Sequence, residues 1–206
     1  HSFSAMLGYE SYFSKSENLG ASRDYFELED FPYLDLGSED YQFNNGSADH
    51  YAYRSYFGRL TYNYADKYLL QANVRRDGTS RFAKQYRWGN FASFSLGWIL
   101  SQEKFMKDLN IKWLYNLKLK GSWGSLGNER IGNYPYQALL NYSTALFYNN
   151  GELESKTTAA QFNYAVNDIT WETTDTWNLG LEASFLNNSL WFSADYYKKE
   201  TRDMLL

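Results

Sequence analysis

The residue types that most often perform catalysis are scarce in this chain of 206 residues. It has no cysteine and only two histidines, His1 and His50. A thiolate nucleophile and the usual Cys/His sets of zinc ligands therefore lack their components. Spacing alone leaves open a Ser-His-Asp arrangement around His50, but a lone histidine in a polar stretch is more often simply solvated. The sequence therefore predicts a protein that is not an enzyme.

Carboxylates gather in the first quarter of the chain and raise the question of a metal site. Calcium prefers clustered oxygen ligands, but the spacing here does not match an EF-hand loop. A solvated acidic loop is the simpler interpretation. We expect no cofactor, with calcium as an alternative that the spacing does not support. The carboxylates are Glu27, Glu29, Asp30, Asp35, Glu39, Asp40 and Asp49.

Aromatic side chains in the longest polar stretch are candidates for ligand binding. Aromatic residues make up 20% of the chain, which is far above what a soluble core needs. An aromatic ring offers an apolar face with a polar tip, on which a sugar ring can stack. Packing within the loop is the simpler interpretation. The candidates are Tyr134, Tyr136, Tyr142, Tyr148 and Trp171.

The short motif RDGTSRF places two arginines beside turn-forming residues. Its Asp-Gly pair favours a turn, and its serine can bond local backbone. We expect a turn at the entry to a loop, in which Arg81 ties that loop to a neighbour. Alternatively, Arg76 and Arg81 contact a ligand or a partner protein. The motif residues are Arg76, Asp77, Gly78, Ser80, Arg81 and Phe82.

The elements that position these residues are predicted to be β-strands, because apolar and polar residues alternate over seven segments. From Leu60 to Val74, one parity is apolar or aromatic and the other is mainly polar, with a break at Ala65-Asp66. A one-residue slip would move Arg75 or Lys118 to the apolar side, so the pattern fixes the register. The predicted strands cover about 1–12, 54–64, 67–77, 90–100, 116–124, 174–185 and 189–199.

The connections between these strands alternate in length. Ala65-Asp66 and Asn187-Asn188 are predicted tight turns, whereas 13–53, 78–89 and 125–173 are long, and SQEKFMKDL within 101–115 predicts one short helix. In an up-and-down meander all the long connections then fall at one end, as in outer-membrane barrels. The sequence therefore predicts an all-β fold, an antiparallel up-and-down meander of about seven strands. A soluble antiparallel sheet is the alternative.

The polar parity of the predicted strands would face the wet interior of such a barrel. A charge on the lipid side at mid-depth costs about 2–4 kcal/mol, and the alternation avoids this almost everywhere. A net charge of −4 argues against nucleic acid as a partner. The predicted lumen-facing residues are Arg59, Asn63, Gln71, Asn73, Arg75, Lys118, Lys120, Glu182 and Asp195.

Four segments together resemble the SusC/RagA family of TonB-dependent outer-membrane transporters, and they occur in the family's order. Where the family commonly has Phe-Pro, this chain has Phe91-Ala92, which affects the entry to one strand. The segments are SYFGRLTYNYADKYLLQANVRRDGTSRF, WGNFASFSLGWILSQEKFM, NLKLKGSWGSLGNERIGNYPY and ITWETTDTWNLGLEASFLNNSLWFSADYYKKETRDMLL.

The resemblance implies that residues 1–206 are one arc of a large transmembrane β-barrel of the 22-strand class. The plug domain, signal peptide and remaining strands would lie outside this chain, the long loops would be extracellular and the short helix periplasmic. The implied function is import of oligosaccharides or peptides, glycans being favoured, with energy from the TonB complex acting through the plug. The implied partners are a SusD-like surface lipoprotein and outer-membrane lipid, in a Gram-negative, Bacteroidetes-like cell. The alternative is a β-sheet binding or structural surface module that does not transport.

Overall fold

The computed structural model describes residues 1–28, 30–149, 151–161 and 164–205, and within them seven strands form one antiparallel sheet. A separate two-stranded hairpin is inserted before the sixth strand of that sheet. The strands are β1 Ser2–Arg23, β2 Gln42–Tyr64, β3 Tyr68–Thr79, β4 Trp88–Ile99, β5 Leu114–Asn128, β6 Asn141–Asn149, β7 Glu152–Ala160, β8 Glu172–Phe185 and β9 Leu190–Arg202.

The sheet order follows the chain order, so the predicted meander is confirmed. Neighbours run β1-β2-β3-β4-β5-β8-β9, and each pair is antiparallel. The connections therefore alternate between two ends of the sheet. We call the end with 65–67, 100–113 and 186–189 the turn end, and the end with 24–41, 80–87 and 129–171 the loop end.

Both predicted tight turns lie at the turn end. Ala65 and Asp66 have positive φ values of 52° and 55°, and the Asn63 side chain bonds the Asp66 backbone N–H at 3.0 Å. Asn187 and Asn188 likewise have φ values of 55° and 67°. Asparagine and aspartate tolerate this left-handed backbone better than most residues, which is why the sequence signals these turns.

The prediction that 13–53 is a long loop is wrong. β1 and β2 remain paired from Phe13↔Ala52 to Arg23↔Gln42, so the loop is limited to 24–41. The extended part of this hairpin has mostly exposed side chains on both faces. Because neither face is buried, the sequence shows no alternation of apolar and polar residues here. Backbone hydrogen bonds between β1 and β2 hold the strands together.

The segment 125–173 is also more ordered than predicted. β5 continues to Asn128, β8 begins at Glu172, and the β6–β7 hairpin lies between them. The expected short helix is present as α1, Lys104–Asp108, preceded by a 3-10 turn at Leu100–Gln102. No helix in the described part of the chain is long and apolar enough to cross a membrane.

The buried core is small and lies at the loop end. Phe82 and Trp171 are 0% and 6% exposed, and Phe91 packs with them. The Trp171 ring meets Phe82 and Phe91 edge-on, at centroid distances of 5.6 and 5.3 Å. Its ring N–H donates to the Arg87 carbonyl at 3.0 Å. This aromatic cluster fastens the start of β8 to the connection between β3 and β4.

A single carboxylate joins two connections at the turn end. Glu103, just before α1, accepts hydrogen bonds from Lys67 Nζ at 3.0 Å, the Tyr68 hydroxyl at 2.7 Å and the Trp98 ring N–H at 3.1 Å. These donors come from the β2–β3 turn and from the adjacent ends of β3 and β4. Glu103 therefore holds the β4–α1 connection against the β2–β3 turn.

This arrangement predicts a pH dependence. Hydrogen bonds from Tyr68, Lys67 and Trp98 lower the pKa of Glu103 from 4.5 to about 2. Since the folded-state pKa is lowered, the stabilisation is present above pH 4.5 and is lost as the pH falls through about 2. We expect the melting temperature of the full-length protein to exceed that of Glu103→Gln above pH 4.5, and the difference to shrink below it. A difference that stays constant across this range would contradict the role of the ionised carboxylate.

Candidate functional site

The register divides the sheet into an apolar face and a polar face. Residues directly opposite each other in an antiparallel pair point to the same side. One continuous row on the apolar face is Leu60, Ala72, Phe94 and Trp123. Its members and neighbours include many exposed apolar side chains: Phe3, Leu7, Leu60, Val74, Phe94, Leu96, Leu119, Leu179, Phe192 and Tyr196.

The nine side chains predicted to face a lumen all share the polar face. Arg59 lies opposite Asn73, Lys118 opposite Glu182, and the other members follow in the same parity. Arg59 Nε donates to Asn73 Oδ1 at 2.7 Å. Asn63 lies at the margin, where it caps the tight turn. That this face borders a lumen stays a prediction at this point.

Four charged groups on the polar face form one chain across β5, β8 and β9. Glu182 contacts Lys118 at 3.3 Å and Lys120 at 2.9 Å, and Lys120 also contacts Asp195 at 3.1 Å. All four side chains are between 25% and 36% exposed. Two lysines and two carboxylates therefore neutralise one another, and this part of the face offers hydrogen-bonding groups without net charge.

A hollow on the polar face, here called the polar-face cleft, lies toward the loop end and has a volume of about 660 Å³. Its walls combine tyrosine rings with charged side chains of both signs. Tyr12 and Tyr51 face each other across β1 and β2, with ring centroids 5.9 Å apart. The principal side chains in the lining are Glu10, Tyr12, Tyr51, Tyr53, Arg75, Asp77, Arg81, Glu129, Arg130 and Trp171.

Arg75 is held rigidly on the floor of this cleft. Its Nε contacts both carboxylate oxygens of Asp77, at 2.7 and 2.9 Å, and its Nη2 donates to the Tyr53 hydroxyl at 2.6 Å. The same nitrogen reaches Glu10 at 3.3 Å. Ser55, which is fully buried, donates to Asp77 from below. Such paired, charge-assisted bonds fix the geometry of a guanidinium.

Arg81 forms the rim of the cleft and connects the β5–β6 segment to β2. Its guanidinium lies 4.5 Å from the centre of the Tyr51 ring, and it donates to Asn133 Oδ1 at 3.1 Å and to the Glu129 carbonyl at 3.3 Å. The Tyr51 hydroxyl also bonds the Glu129 carboxylate. Arg81 therefore holds the β5–β6 segment against β2, as expected for a structural residue, and its guanidinium is already occupied by partners within the chain.

The rest of the RDGTSRF motif is structural in its contacts. Ser80 exchanges two hydrogen bonds with the backbone of Ala52, both at 2.9 Å, so its partner is β2 and not the local backbone that we expected. Phe82 enters the aromatic cluster. Arg76 alone points to the apolar face, where it covers the ring of Trp88. Gly78 lies directly against that ring, because an added Cβ would be 2.9 Å from it.

The five candidate aromatic residues are not brought together. Tyr134 and Tyr136 contact each other edge-on near β2, and the Tyr134 hydroxyl donates to the His50 carbonyl at 2.7 Å. Tyr142 and Tyr148 lie on β6 and are 74% and 75% exposed. Trp171 is buried in the aromatic cluster, so its ring faces cannot stack on a ligand. For Trp171 the structure thus agrees with packing within the loop and not with ligand binding.

The sequence did not predict that tyrosines of β1 and β2 line the polar-face cleft. Tyr51, Tyr53 and Ser55 share the parity of Arg59, and that spacing of two could have extended β2 toward its true start. The surrounding Asn, Gly, Ser and Asp residues favoured a loop instead. Glu129 was missed because nothing local marks its contacts with Tyr51 and Arg81, which lie far away in sequence.

The acidic residues of the first quarter do not converge. In the ranges that the structure describes, no group of three His, Cys, Asp or Glu side chains could hold a metal ion. Asp49 bonds the Asn133 side chain. Glu29 lies outside the described residues. The structure therefore offers no geometric support for the calcium alternative within its described part.

Sequence comparison relates the whole chain to one family. A family model described as "TonB dependent receptor-like, beta-barrel" matches residues 1–206. TonB-dependent receptor SusC of Bacteroides thetaiotaomicron is 40% identical over 154 residues, which are 73% of this chain and 15% of that protein. TonB-dependent receptor P39 of Formosa agariphila is 38% identical over 169 residues, which are 81% of this chain and 15% of that protein.

Solved structures agree with the sequence comparison. The structure of the RagAB peptide transporter superposes with a TM-score of 0.83 at 29% identity, covering 99% of this chain and 22% of that one. The RagAB peptide importer in an open state gives a TM-score of 0.82. The chain thus spans about a seventh of the curated relatives and about a fifth of these solved chains. Those relatives are named as receptors and transporters, not as enzymes.

Proposed function

We propose, from the premise that this chain belongs to the TonB-dependent receptor β-barrel family, that it forms part of the barrel wall of a SusC-like active transporter. Residues 1–206 would be one arc of a barrel of the 22-strand class, with the plug domain, the signal peptide and the remaining strands elsewhere in the full protein. The barrel would lie in the outer membrane of a Gram-negative, Bacteroidetes-like cell, with the loop end extracellular and the turn end periplasmic.

The two-faced sheet is the observation that carries this proposal. Aromatic pairs border its apolar face at both ends: Tyr64 with Tyr68 at the turn end, and Tyr9 with Tyr56 at the loop end. Tyr56 and Tyr64 are eight residues apart on β2, which is about 26 Å along a strand. At a strand tilt of about 35–45° this length spans about 19–22 Å of the bilayer, which is close to an apolar band about 25 Å tall between two aromatic girdles. A soluble sheet has no reason to expose such a band.

The cargo would be an oligosaccharide or a peptide passing along the polar face. The polar-face cleft lies on the extracellular half and offers tyrosine rings together with fixed donors and acceptors. Aromatic faces suit sugar rings, and paired polar groups suit either sugar hydroxyls or peptide amides. Family resemblance favours glycans, whereas the solved neighbours are named for peptides. Oligosaccharides and peptides are therefore both candidate cargoes, and uptake measurements distinguish them.

The proposed partners follow from the same family. A SusD-like surface lipoprotein would close over the loop end and hold cargo above the barrel. The TonB complex would act on the plug and open a path through the lumen. Outer-membrane lipid would contact the apolar face. No nucleic acid is involved, in keeping with the net charge of −4.

Uptake by cells that lack the full-length gene tests the function. Labelled oligosaccharide and peptide mixtures are supplied to the deletion strain, to the strain complemented with the gene, and to a complemented strain without TonB. We expect complementation to restore uptake of one mixture only when TonB is present. If the deletion strain takes up both mixtures normally, the protein is not a transporter, and a surface module that does not transport becomes the better description.

A further inference from the structure

Three arginines lie near one another at the loop end, two of them on the apolar face and the third in the connection just before β4. Arg54 on β2 lies opposite Gly78, which in turn lies opposite Trp88 on β4. Arg76 is one same-face position below Gly78 on β3, and its guanidinium lies 5.2 Å from the centre of the Trp88 ring. Arg87 immediately precedes β4. We call these three residues the arginine triad; Arg54 and Arg87 share one hollow with Trp88.

The triad has no acidic partner among the residues that the structure describes. No ion pair in the described ranges includes Arg54, Arg76 or Arg87, although ion pairs are formed by Arg75 and Arg81 nearby. Arg87 Nε donates to the Phe82 carbonyl at 3.2 Å, which leaves the rest of its guanidinium available. In a chain of net charge −4 this is a local excess of positive charge.

Two hollows lie beside the triad, and they share no lining residue. The first, with a volume of about 350 Å³, is lined by Arg54 and Arg87 together with Gly78 and Trp88. The second, with a volume of about 650 Å³, is lined by Arg76 and by Leu7, Tyr56, Gly58, Val74 and Ala92. No aspartate or glutamate of the described residues lines either one. The hollows lie at successive same-face positions on β2, β3 and β4, so a charged end and an apolar end adjoin.

We propose that these two hollows together bind one lipid whose headgroup carries a phosphate group. The phosphate would be held by the arginine triad, since guanidinium groups bind phosphate through paired hydrogen bonds. An acyl chain would fill the second hollow, where Leu7 and Val74 lie close to Gly58 and supply apolar contacts. The row of Tyr9, Tyr56 and Trp88 places the triad at headgroup level.

This inference rests on the proposed function, because it needs the apolar face to lie in a bilayer. It goes beyond general lipid contact, because charge complementarity selects the occupant. A basic pocket at the membrane interface attracts an anionic headgroup with a free energy that corresponds to about fivefold in affinity per arginine. A neutral lipid would fill the apolar hollow but leave the triad without a partner.

The test uses the full-length protein in phosphatidylcholine vesicles that contain either phosphatidic acid or oleic acid at matched charge. We expect a fluorescent phosphatidic acid to bind, and the triple variant Arg54→Gln/Arg76→Gln/Arg87→Gln to weaken its binding about a hundredfold. Lysine at the three positions should recover most of the affinity. Lys198→Gln, on the same face but paired with Glu200, should have no effect. If the triple variant fails to assemble, Arg54→Gln alone should still cost about fivefold.

Other outcomes would overturn the proposal in identifiable ways. Equal binding of oleic acid would show that charge alone is recognised, and competition by inorganic phosphate as strong as that by the lipid would remove the acyl chain from the site. Unchanged phosphatidic acid binding by an assembled triple variant would refute the triad as the site. A protein that inserts into every vesicle without lipid preference would sink this proposal alone, whereas one that inserts into none would overturn the proposed function itself.

Discussion

An arginine in place of Leu119 or Leu181 is expected to stop the full-length protein from assembling in the outer membrane. The two leucines lie opposite each other on β5 and β8, within the apolar face. An arginine facing lipid at mid-depth costs about 2–4 kcal/mol, which is roughly 30-fold to 900-fold in the assembly equilibrium. The folded fraction can be measured from heat-modifiable migration on gels and from protease resistance in isolated membranes.

Ser95→Arg is the matched control for these two substitutions. Ser95 lies on the polar face of β4, opposite Gln71 and Ser122, and borders a hollow of about 430 Å³ that also contains Lys118. A wet hollow accommodates an added guanidinium, so assembly should stay near normal. If Ser95→Arg and Leu119→Arg lowered the folded fraction equally, the assignment of the two faces would be wrong.

Trp171→Ala should loosen the loop end while leaving the membrane part assembled. The substitution empties the centre of the aromatic cluster and removes the hydrogen bond to the Arg87 carbonyl. Truncating a buried tryptophan to alanine typically costs about 3–5 kcal/mol. We expect hydrogen exchange of the full-length protein to rise strongly in 80–87 and at the start of β8, since both are fastened to this ring.

Tyr148→Ala provides the comparison on the same side of the molecule. Tyr148 is 75% exposed on β6, and an exposed side chain of this kind usually changes stability by less than about 0.5 kcal/mol. Its exchange pattern in 80–87 should match the wild type. Unchanged protection in Trp171→Ala would mean that the cluster does not hold the loop end together.

The sheet was predictable because one of its faces must be apolar and the other polar. Leu70 and Gln71 differ in character because they point to different sides, and this alternation marks a strand wherever both faces have distinct surroundings. The same signal disappears where β1 and β2 extend past the apolar face. There Ser16 pairs with Asp49 on one face and Lys15 with His50 on the other, so polar residues occupy both parities and the sequence pattern resembles that of a loop.

The candidate site was less predictable, because its contacts join residues distant in sequence. Arg81 lies near Asn133 and Tyr51, which are 52 residues after it and 30 before it in the chain. A single sequence shows which residues are aromatic or charged, but not which of them the loops bring together. Trp171 illustrates this limit: a loop tryptophan can serve as a stacking surface or as a core residue, and burial alone decides between them.

With the loop end extracellular, as proposed above, the long β1–β2 ladder affects recognition from outside the cell. From Phe13↔Ala52 to Arg23↔Gln42, eleven successive residue pairs continue the hairpin beyond the apolar face, over a length of about 35 Å. Surface segments of this kind are the first parts of an envelope protein that antibodies and phages meet. Here they would meet a fixed, hydrogen-bonded backbone instead of a mobile loop, so an immune response could select binders of defined shape against this epitope.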